Sequence, residues 1–254
     1  MRKKAKHEKK NNNYLLIAFI LICLVGVIYY SFRIITWKKH TSDNEKINNQ
    51  ISNSIRIIKA ETGTEDIYDI DFEALKEINS DTIAYVKVNN TNINHIVVKG
   101  EDNNYYLNHN FKKDWNNAGW IFADYKNKFD GLDKNIVIYG HNMKDGSMFE
   151  TLKYTIEKDW YENKENHKVV LVTESGTKYY QVFSTYSTKP EDYYIKTEFN
   201  NDIEFEEFLK TLKNRSVYDY GTVISSQDKI LTLSSCLDGR KNRIVLHAKL
   251  IQEQ

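Results

Sequence analysis

The stretch KILTLSSCLDGRKNRIVLHAKL, residues 229–250, holds two apolar runs separated by a polar turn. The first run places Cys236 at its carboxyl end, and the second run begins at Arg243. The Asp-Gly pair between them is typical of a tight turn. Because consecutive strands usually lie side by side, the pattern predicts two neighbouring strands that bring Cys236 and Arg243 to one edge of a sheet.

A thiol and a guanidinium at one sheet edge can form part of a reactive site. Cysteine reacts as the thiolate, and a nearby cation lowers the pKa of the thiol. Arginine stays charged and can donate hydrogen bonds to a developing oxyanion. Two other interpretations stay open at this point. Cys236 could be a buried, inert thiol, and Arg243 could simply begin an exposed strand.

A nucleophilic cysteine needs a partner that moves protons, and the chain has seven histidines. His141 follows the apolar run 136–139 and Gly140 in the string NIVIYGHN, so it stands at the end of a predicted strand. Gly140 before it lets the backbone turn sharply. A histidine at such an edge can act as acid or base near neutral pH, although a loop histidine can also be simply solvated. His247 falls within the last strand and is expected to be structural.

Short apolar runs with turn-forming residues between them fill the chain from residue 82 onward. They predict strands at 83–88, 93–98, 119–123, 135–139, 169–172, 179–185, 229–233 and 243–250. The fifth and sixth of these runs form a predicted hairpin. So many short strands around few helices are typical of a β-barrel or a β-sandwich.

Three helices are predicted outside the N-terminal apolar run. Residues 41–61 carry isoleucines at positions 47, 51, 55 and 58, a spacing that suits an amphipathic helix. Residues 72–78 form a second helix, with Asp71 as its N-cap. The third helix lies in the insertion before residue 229 and has one apolar face, made of Phe205, Phe208, Leu209 and Leu212.

The N-terminus has the composition of a membrane anchor. Residues 1–13 contain six Lys or Arg against one Glu, and the uncharged run 14–32 would span roughly 28 Å as a helix. A cleaved signal peptide shares these features, but the apolar run is long for one and no small-x-small cleavage site follows it. The basic cluster predicts a cytoplasmic N-terminus, with the body of the chain outside the cell.

Charge and motif content narrow the function classes. The net charge is +1, and the body without its basic N-terminus is mildly acidic, so no nucleic-acid-binding surface is predicted. The sequence has no His-x-x-x-His or Cys-x-x-Cys spacing, so no metal or other cofactor is predicted.

Three strings, NIVIYGHN, TLSSC and RIVLHAKL, occur in an order and at separations that resemble the sortase family of cysteine transpeptidases. The resemblance runs from about residue 71 to the C-terminus, and the helix-bearing insertion looks like the class B branch. It implies a mostly β fold with peripheral helices. The expected fold is a closed eight-stranded β-barrel with N-terminal helices and a helix in the insertion before the strand that carries the catalytic cysteine.

The resemblance also implies a catalytic site composed of Cys236, His141 and Arg243. Arg240 is a second candidate for the catalytic arginine, but it lies in the turn. Arg243 directly precedes the apolar run IVL, which is where the family resemblance places the catalytic arginine. Candidates for supporting the site or for binding substrate are Ser234, Ser235 and Asp238. Class B members are similar in having a threonine before the cysteine, whereas this chain has a serine, so the hydroxyl is kept and activity is expected.

A family resemblance of this kind implies a thiol-dependent transpeptidase at a Gram-positive cell surface. It would cleave the C-terminal sorting signal of exported proteins after a threonine, through a thioacyl intermediate. It would then join them to an amine of a peptidoglycan precursor or cross-bridge. The class B branch favours an Asn-Pro-x-Thr signal over Leu-Pro-x-Thr. Two alternatives stay open, a membrane-anchored cysteine endopeptidase with water as acceptor and a non-catalytic β-barrel that binds wall ligands.

The expected organisation has four parts along the chain. Residues 1–13 form a cytoplasmic basic tail, and 14–32 form a single transmembrane anchor. Residues 33–70 form a juxtamembrane helical stalk, and 71–254 form an extracellular catalytic domain.

Overall fold

The computed structural model describes residues 5–59, 65–237 and 241–254, with side chains from Tyr14 onward except those of Cys236 and Leu237. The chain divides into two compact units, Met1–Glu45 and Lys46–Gln254. Helix α1 comprises Ala5–Ile51, and its apolar side chains between Tyr14 and Ile35 are exposed. The helix is long and apolar enough to cross a membrane, which fits either a membrane anchor or a signal sequence.

A two-stranded antiparallel sheet follows α1 along the chain. Strand β1 (Ile55–Ile58) pairs with β2 (Ile67–Ile70). The predicted helix over 41–61 is therefore wrong at 55–58, and the helical stalk over 33–70 is wrong at 55–58 and 67–70. Half-buried and exposed side chains alternate along both strands, which is the period of a strand. Isoleucine is also β-branched and favours strands, and the pairing with β2 decides for a strand over a helix.

Helix α2 (Phe72–Ile78) connects the small sheet to the barrel. The Asp71 carboxylate accepts a hydrogen bond of 2.9 Å from the backbone N–H of Ala74. An N-cap of this kind satisfies one of the backbone donors that a helix start leaves unpaired. The predicted helix and its cap are both confirmed.

Eight strands of the second unit form a closed barrel, which confirms the predicted fold class. The strands are β3 (Thr82–Val88), β4 (Asn94–Val98), β5 (Phe122–Ala123), β6 (Asn135–Gly140), β7 (Lys168–Thr173), β8 (Gly176–Thr188), β9 (Ile230–Leu237) and β10 (Asn242–Glu253). Their order around the barrel is β10-β8-β7-β3-β4-β5-β6-β9. The pairs β4–β5 and β6–β9 are parallel, and the pairing of β6 with β9 positions the candidate site.

The barrel core is made of the buried apolar side chains that recur along these strands. Tyr85 on β3 and Trp120, just before β5, are among the largest fully buried residues. The indole N–H of Trp120 donates a hydrogen bond of 2.9 Å to the carbonyl of Ile96, so its polar atom is satisfied inside the core, as buried polar groups require.

A second apolar cluster lies between the barrel and the insertion. After the short helix α3 (Lys158–Glu162), the chain forms β7 and β8 and then helix α4 (Asp202–Asn214). The apolar face of α4 packs against residues of β8, β9 and β10, including Phe183, Ile230 and Val245. This packing holds the insertion, and with it the segment 189–201, against the strands that carry the candidate site.

Candidate active site

The carboxyl ends of β6 and β9 lie side by side because these two strands run parallel. In their register Gly140 pairs with Ser235, so the next residues, His141 and Cys236, follow at the same edge. Strand β10 runs antiparallel to β9, and its residue Arg243 pairs directly with Cys236. The structure therefore brings the backbone positions of the three predicted catalytic residues to one edge of the barrel.

Two hydrogen bonds fix His141 at this edge. Its ring nitrogen Nε2 lies 2.8 Å from the carbonyl oxygen of Leu107, and its own carbonyl accepts a hydrogen bond of 2.8 Å from the backbone N–H of Phe149. A histidine held at both its ring and its backbone has a defined orientation, which proton transfer requires.

Gly140 is needed for packing rather than for a sharp turn. A Cβ atom at this position would lie 2.5 Å from the Cδ1 atom of Ile121 and 2.5 Å from the Cγ atom of Phe149. Its φ angle lies outside the left-handed region, so the sequence-based reason given for this glycine is wrong. The close approach of two side chains explains it instead, because only glycine lacks the clashing atom.

Ser234 and Ser235 are both buried at 3% exposure and both line the cleft described below. The Ser234 hydroxyl shares a hydrogen bond of 3.1 Å with the hydroxyl of Tyr194. The Ser235 hydroxyl has no hydrogen-bond partner among the described residues. Asp238, the third supporting candidate, and Arg240, the second candidate for the catalytic arginine, lie outside the described residues.

A cleft of about 410 Å³ opens at the edge where these residues meet. His141, Ser235 and Arg243 line it from the ends of β6, β9 and β10, while segments 103–107 and 190–195 line it from the loops. Its volume lies in the range of about 300–1,000 Å³ that is typical of ligand sites. The cleft is therefore large enough to hold several residues of an extended peptide next to the predicted catalytic positions.

A buried carboxylate supports one part of the cleft. Asp124 is buried and accepts hydrogen bonds from the Tyr139 hydroxyl at 2.8 Å, from the Asn103 amide at 2.9 Å and from the backbone N–H of Lys126 at 3.0 Å. Burial, together with the negative charge of Asp124, holds the pKa of Tyr139 above its ordinary value. Tyr139 and Asn103, which both line the cleft, are thereby fixed in place.

Two further histidines, the buried His247 and the half-buried His95, do not line the cleft. His247 is fully buried and is hydrogen-bonded to Thr232 and Tyr186, which agrees with the expected structural role. Burial lowers the pKa of His247 to about 3 and that of His95 to about 4. Both imidazoles are therefore neutral at physiological pH.

Sequence reasoning missed several residues of the cleft. Leu107 contributes a backbone carbonyl to His141, so its residue type carries no signal. Tyr194 lies in an irregular part of the insertion, where hydrophobic periodicity gives no guide. Asp124 ends the string GWIFAD, and a carboxylate directly after an apolar run was the one available signal for it.

Comparison with known protein sequences matches most of the chain to sortases. A family model described as the sortase domain matches residues 86–251. The chain is also similar to sortase B of Listeria monocytogenes, with 40% identity over 182 residues. That alignment covers 70% of this chain and 72% of the relative.

Solved structures of sortase B are also similar to this chain. The structure of sortase B from Bacillus anthracis in complex with AAEK1 matches with a TM-score of 0.73 and 31% identity, over 84% of this chain and 99% of that chain. A Staphylococcus aureus sortase B–substrate complex matches with a TM-score of 0.67 and 30% identity, over 86% of this chain and 95% of that chain.

Proposed function

The chain belongs to class B of the sortase family of cysteine transpeptidases, and we propose that it cleaves a C-terminal sorting signal after a threonine and joins the exported protein to a cell-wall amine. The observation that carries the proposal is the strand register, in which Arg243 pairs with Cys236 and Gly140 pairs with the residue before Cys236. This register gathers a thiol-bearing, an imidazole-bearing and a guanidinium-bearing position at the edge of one cleft.

In the first half of the reaction, the Cys236 thiolate attacks the carbonyl carbon of the threonine and forms a carbon–sulfur bond. Arg243 donates hydrogen bonds to the oxyanion of the tetrahedral intermediate, where a fixed positive charge is most effective. His141 gives a proton to the departing amine as the peptide bond breaks. The products are a thioacyl enzyme and the released C-terminal part of the sorting signal.

In the second half, the amine of a peptidoglycan precursor or cross-bridge attacks the thioacyl carbon. His141 takes the proton that the attacking amine loses, and the thiolate leaves, so the enzyme returns to its starting state. The net result exchanges one amide for another and needs no cofactor.

The substrate proposal draws on the relatives. A structure of Staphylococcus aureus sortase B holds a substrate, and its similarity to this chain supports a sorting-signal peptide as the ligand of the cleft. We propose the Asn-Pro-x-Thr type of signal in preference to Leu-Pro-x-Thr, as the class B branch implies.

The site of action follows from the N-terminal helix. We propose that residues 14–32 anchor the protein in the cell membrane, with residues 1–13 in the cytoplasm and the catalytic domain outside. Lys and Arg are concentrated before the apolar run, and such an excess favours the cytoplasmic side. An enzyme held there would meet both exported proteins and wall precursors at the membrane surface.

The test uses the full chain in detergent with peptides of the Asn-Pro-x-Thr and Leu-Pro-x-Thr types, with and without triglycine as the amine. Mass spectrometry of the products is expected to show cleavage after threonine and, with triglycine present, a ligated product. Cys236→Ala, His141→Ala and Arg243→Ala are expected to remove this activity. Cys23→Ala is the matched control and is expected to keep it, because Cys23 belongs to the N-terminal unit and the barrel strands belong to the other.

Each outcome of this test points to one of the candidate functions. Equal hydrolysis with and without the amine would support the cysteine endopeptidase with water as acceptor. Binding of peptides or wall fragments without any cleavage would support the non-catalytic barrel. Full activity in Cys236→Ala would refute the proposed nucleophile.

A further inference from the structure

The ring of His141 has one nitrogen assigned by its hydrogen bond. Nε2 lies 2.8 Å from the Leu107 carbonyl oxygen, and a carbonyl oxygen can only accept a hydrogen bond. Nε2 must therefore carry a hydrogen and donate it. In a neutral imidazole only one nitrogen carries hydrogen, so the hydrogen bond selects the tautomer in which Nδ1 holds the lone pair.

The Leu107 carbonyl is a rigid acceptor because the turn that carries it is held at several points. Leu107 ends a single 3-10 turn that begins at Tyr105. Within this turn the fully buried Tyr106 donates from its hydroxyl to the Asp81 carboxylate at 2.6 Å. The Tyr106 carbonyl accepts a hydrogen bond of 3.0 Å from the backbone N–H of Trp120. The backbone around Leu107 is thus tied to two separate parts of the barrel.

Gly119 lies directly against this turn. Its φ angle is +57°, and a Cβ atom there would lie 2.3 Å from the Tyr106 carbonyl oxygen and 2.8 Å from the Leu107 carbonyl oxygen. Real Cβ atoms do not approach backbone oxygens so closely, so any other residue would displace the turn. The atoms affected are the Tyr106 carbonyl oxygen and, on the next residue, the Leu107 carbonyl oxygen that holds His141.

We infer that Nδ1 of His141 is the nitrogen that exchanges protons with the substrate, and that Leu107 and Gly119 are the positioning residues that make it so. This inference rests on the proposed function of His141. The imidazolium gives the Nδ1 proton to the departing amine and becomes the neutral Nε2–H tautomer, still bound to Leu107. Nδ1 then accepts a proton from the attacking amine, so the bond to the Leu107 carbonyl persists through the whole cycle.

The tautomer can be measured directly by NMR. Full-chain protein labelled with ¹⁵N-histidine is studied at a pH where His141 is neutral, and the His141→Gln variant identifies its signals. We expect hydrogen on Nε2 and a lone pair on Nδ1, which have well-separated ¹⁵N shifts. A neutral His141 with its hydrogen on Nδ1 would overturn the inference.

A pair of glycine variants tests the positioning role. Gly119→Ala places a methyl group against the Leu107 carbonyl, whereas Gly131→Ala places one at another positive φ angle, +83°, with no atom within 4 Å. Both variants carry backbone strain, but only the first displaces the turn. We expect Gly119→Ala to lower kcat by about ten- to a hundredfold, since small misplacements of catalytic groups have effects of this size, with KM little changed. Gly131→Ala should keep the wild-type kcat.

Thermal unfolding of both variants shows whether they are folded, and wild-type kcat in folded Gly119→Ala would contradict the positioning role. If Gly119→Ala does not fold, the NMR measurement on the wild type still decides the tautomer. Failure of the proposed function is a different result, namely activity that survives in His141→Ala. An inactive His141→Ala combined with the wrong tautomer would overturn only the inference drawn here.

Discussion

Arg243 gives the site a guanidinium group, whose geometry matters as much as its charge. The guanidinium is a planar group with several donors, whereas an ammonium is a compact point charge. Arg243 lines the cleft and is the second residue of β10, directly opposite Cys236. A group that stabilises an oxyanion must aim its donors at one point, so lysine should be a poor replacement.

Arg243→Lys is therefore expected to lower kcat by about 10²–10³, with a smaller change in KM. The measurement is steady-state transpeptidation by the full chain. Arg56→Lys is a matched control, because Arg56 is exposed and pairs with Asp69 in the small sheet, and it should retain full activity. Wild-type kcat in Arg243→Lys would show that Arg243 does not stabilise the transition state.

His247 is held in the neutral state by a defined set of hydrogen bonds. The single hydroxyl hydrogen of Thr232 is donated to the Asn135 side-chain oxygen at 2.7 Å, so Nδ1 of His247 must donate to Thr232, at 2.9 Å. Nε2 is then the acceptor for the Tyr186 hydroxyl, at 3.0 Å. A second proton on the ring would break this last bond and place a charge in the core.

Acid should destabilise the fold through His247 and His95. Their pKa values fall from the ordinary 6.5 to about 3 and about 4 on burial. The unfolded chain thus binds more protons than the folded one below pH 6.5, and each group lowers the stability by up to about 1.4 kcal/mol per pH unit down to its folded pKa. The thermal unfolding midpoint should fall between pH 6.5 and 4, and less steeply in His95→Gln. Equal slopes in the variant and the wild type would contradict this account for His95.

At the scale of single elements, the end of β6 controls where His141 lies. Gly140 packs against Ile121 and Phe149, and Phe149 also donates a backbone hydrogen bond to the His141 carbonyl. A side chain at position 140 would therefore push on the same residue that holds the His141 backbone. Core overpacking of this kind typically costs about 1–3 kcal/mol.

Gly140→Ala is expected to lower both the thermal unfolding midpoint and kcat. Gly100→Ala is the matched control, because a Cβ atom there meets its nearest neighbours at 3.5 Å, an ordinary contact distance. A Gly140→Ala variant as stable and active as the control would mean that the β6 end adjusts freely.

Strands and helices could be predicted from the sequence where one local pattern of apolar residues dominated. The alternating or continuous apolar runs gave β3, β6 and the β7–β8 hairpin close to their observed bounds, and the face of four apolar residues gave α4. The predicted strand at 119–123 is reduced to Phe122–Ala123, because Gly119 adopts a φ angle of +57° that a strand does not allow. The isoleucines of residues 55–58 fitted helical and strand spacing alike, and pairing with β2, a contact outside the local sequence, decided between them.

At the scale of the whole molecule, barrel closure brings together residues far apart in the chain. The sequence predicted that Cys236 and Arg243 are neighbours, because a short turn joins their strands. It held no local reason for β6 to lie parallel to β9, a pairing of residues 95 positions apart in the chain, such as Asn135 and Ile230. The family resemblance supplied that placement. The contact between His141 and the Leu107 carbonyl could be predicted neither from the local sequence nor from the family resemblance. Every residue type carries a backbone carbonyl, so the sequence does not mark the one that is used.

The N-terminal helix gives a prediction for the intact protein in cells. Deletion of residues 1–32 is expected to move the protein from the membrane fraction to the soluble fraction, because it removes the apolar side chains exposed on α1. Mass analysis of the full chain recovered from membranes should show an intact N-terminus. A shortened N-terminus would identify the apolar run as a cleaved signal peptide instead.

We propose that the thiol of Cys236 carries the acyl group from the first substrate to the second. This can be tested by intact-protein mass spectrometry of the full chain, mixed with an Asn-Pro-x-Thr peptide in the absence of any amine. We expect a mass increase equal to the peptide's acyl portion, located on Cys236 by fragmentation, absent in Cys236→Ala and released by added triglycine. Peptide cleavage without any such adduct, or an adduct that persists in Cys236→Ala, would contradict it.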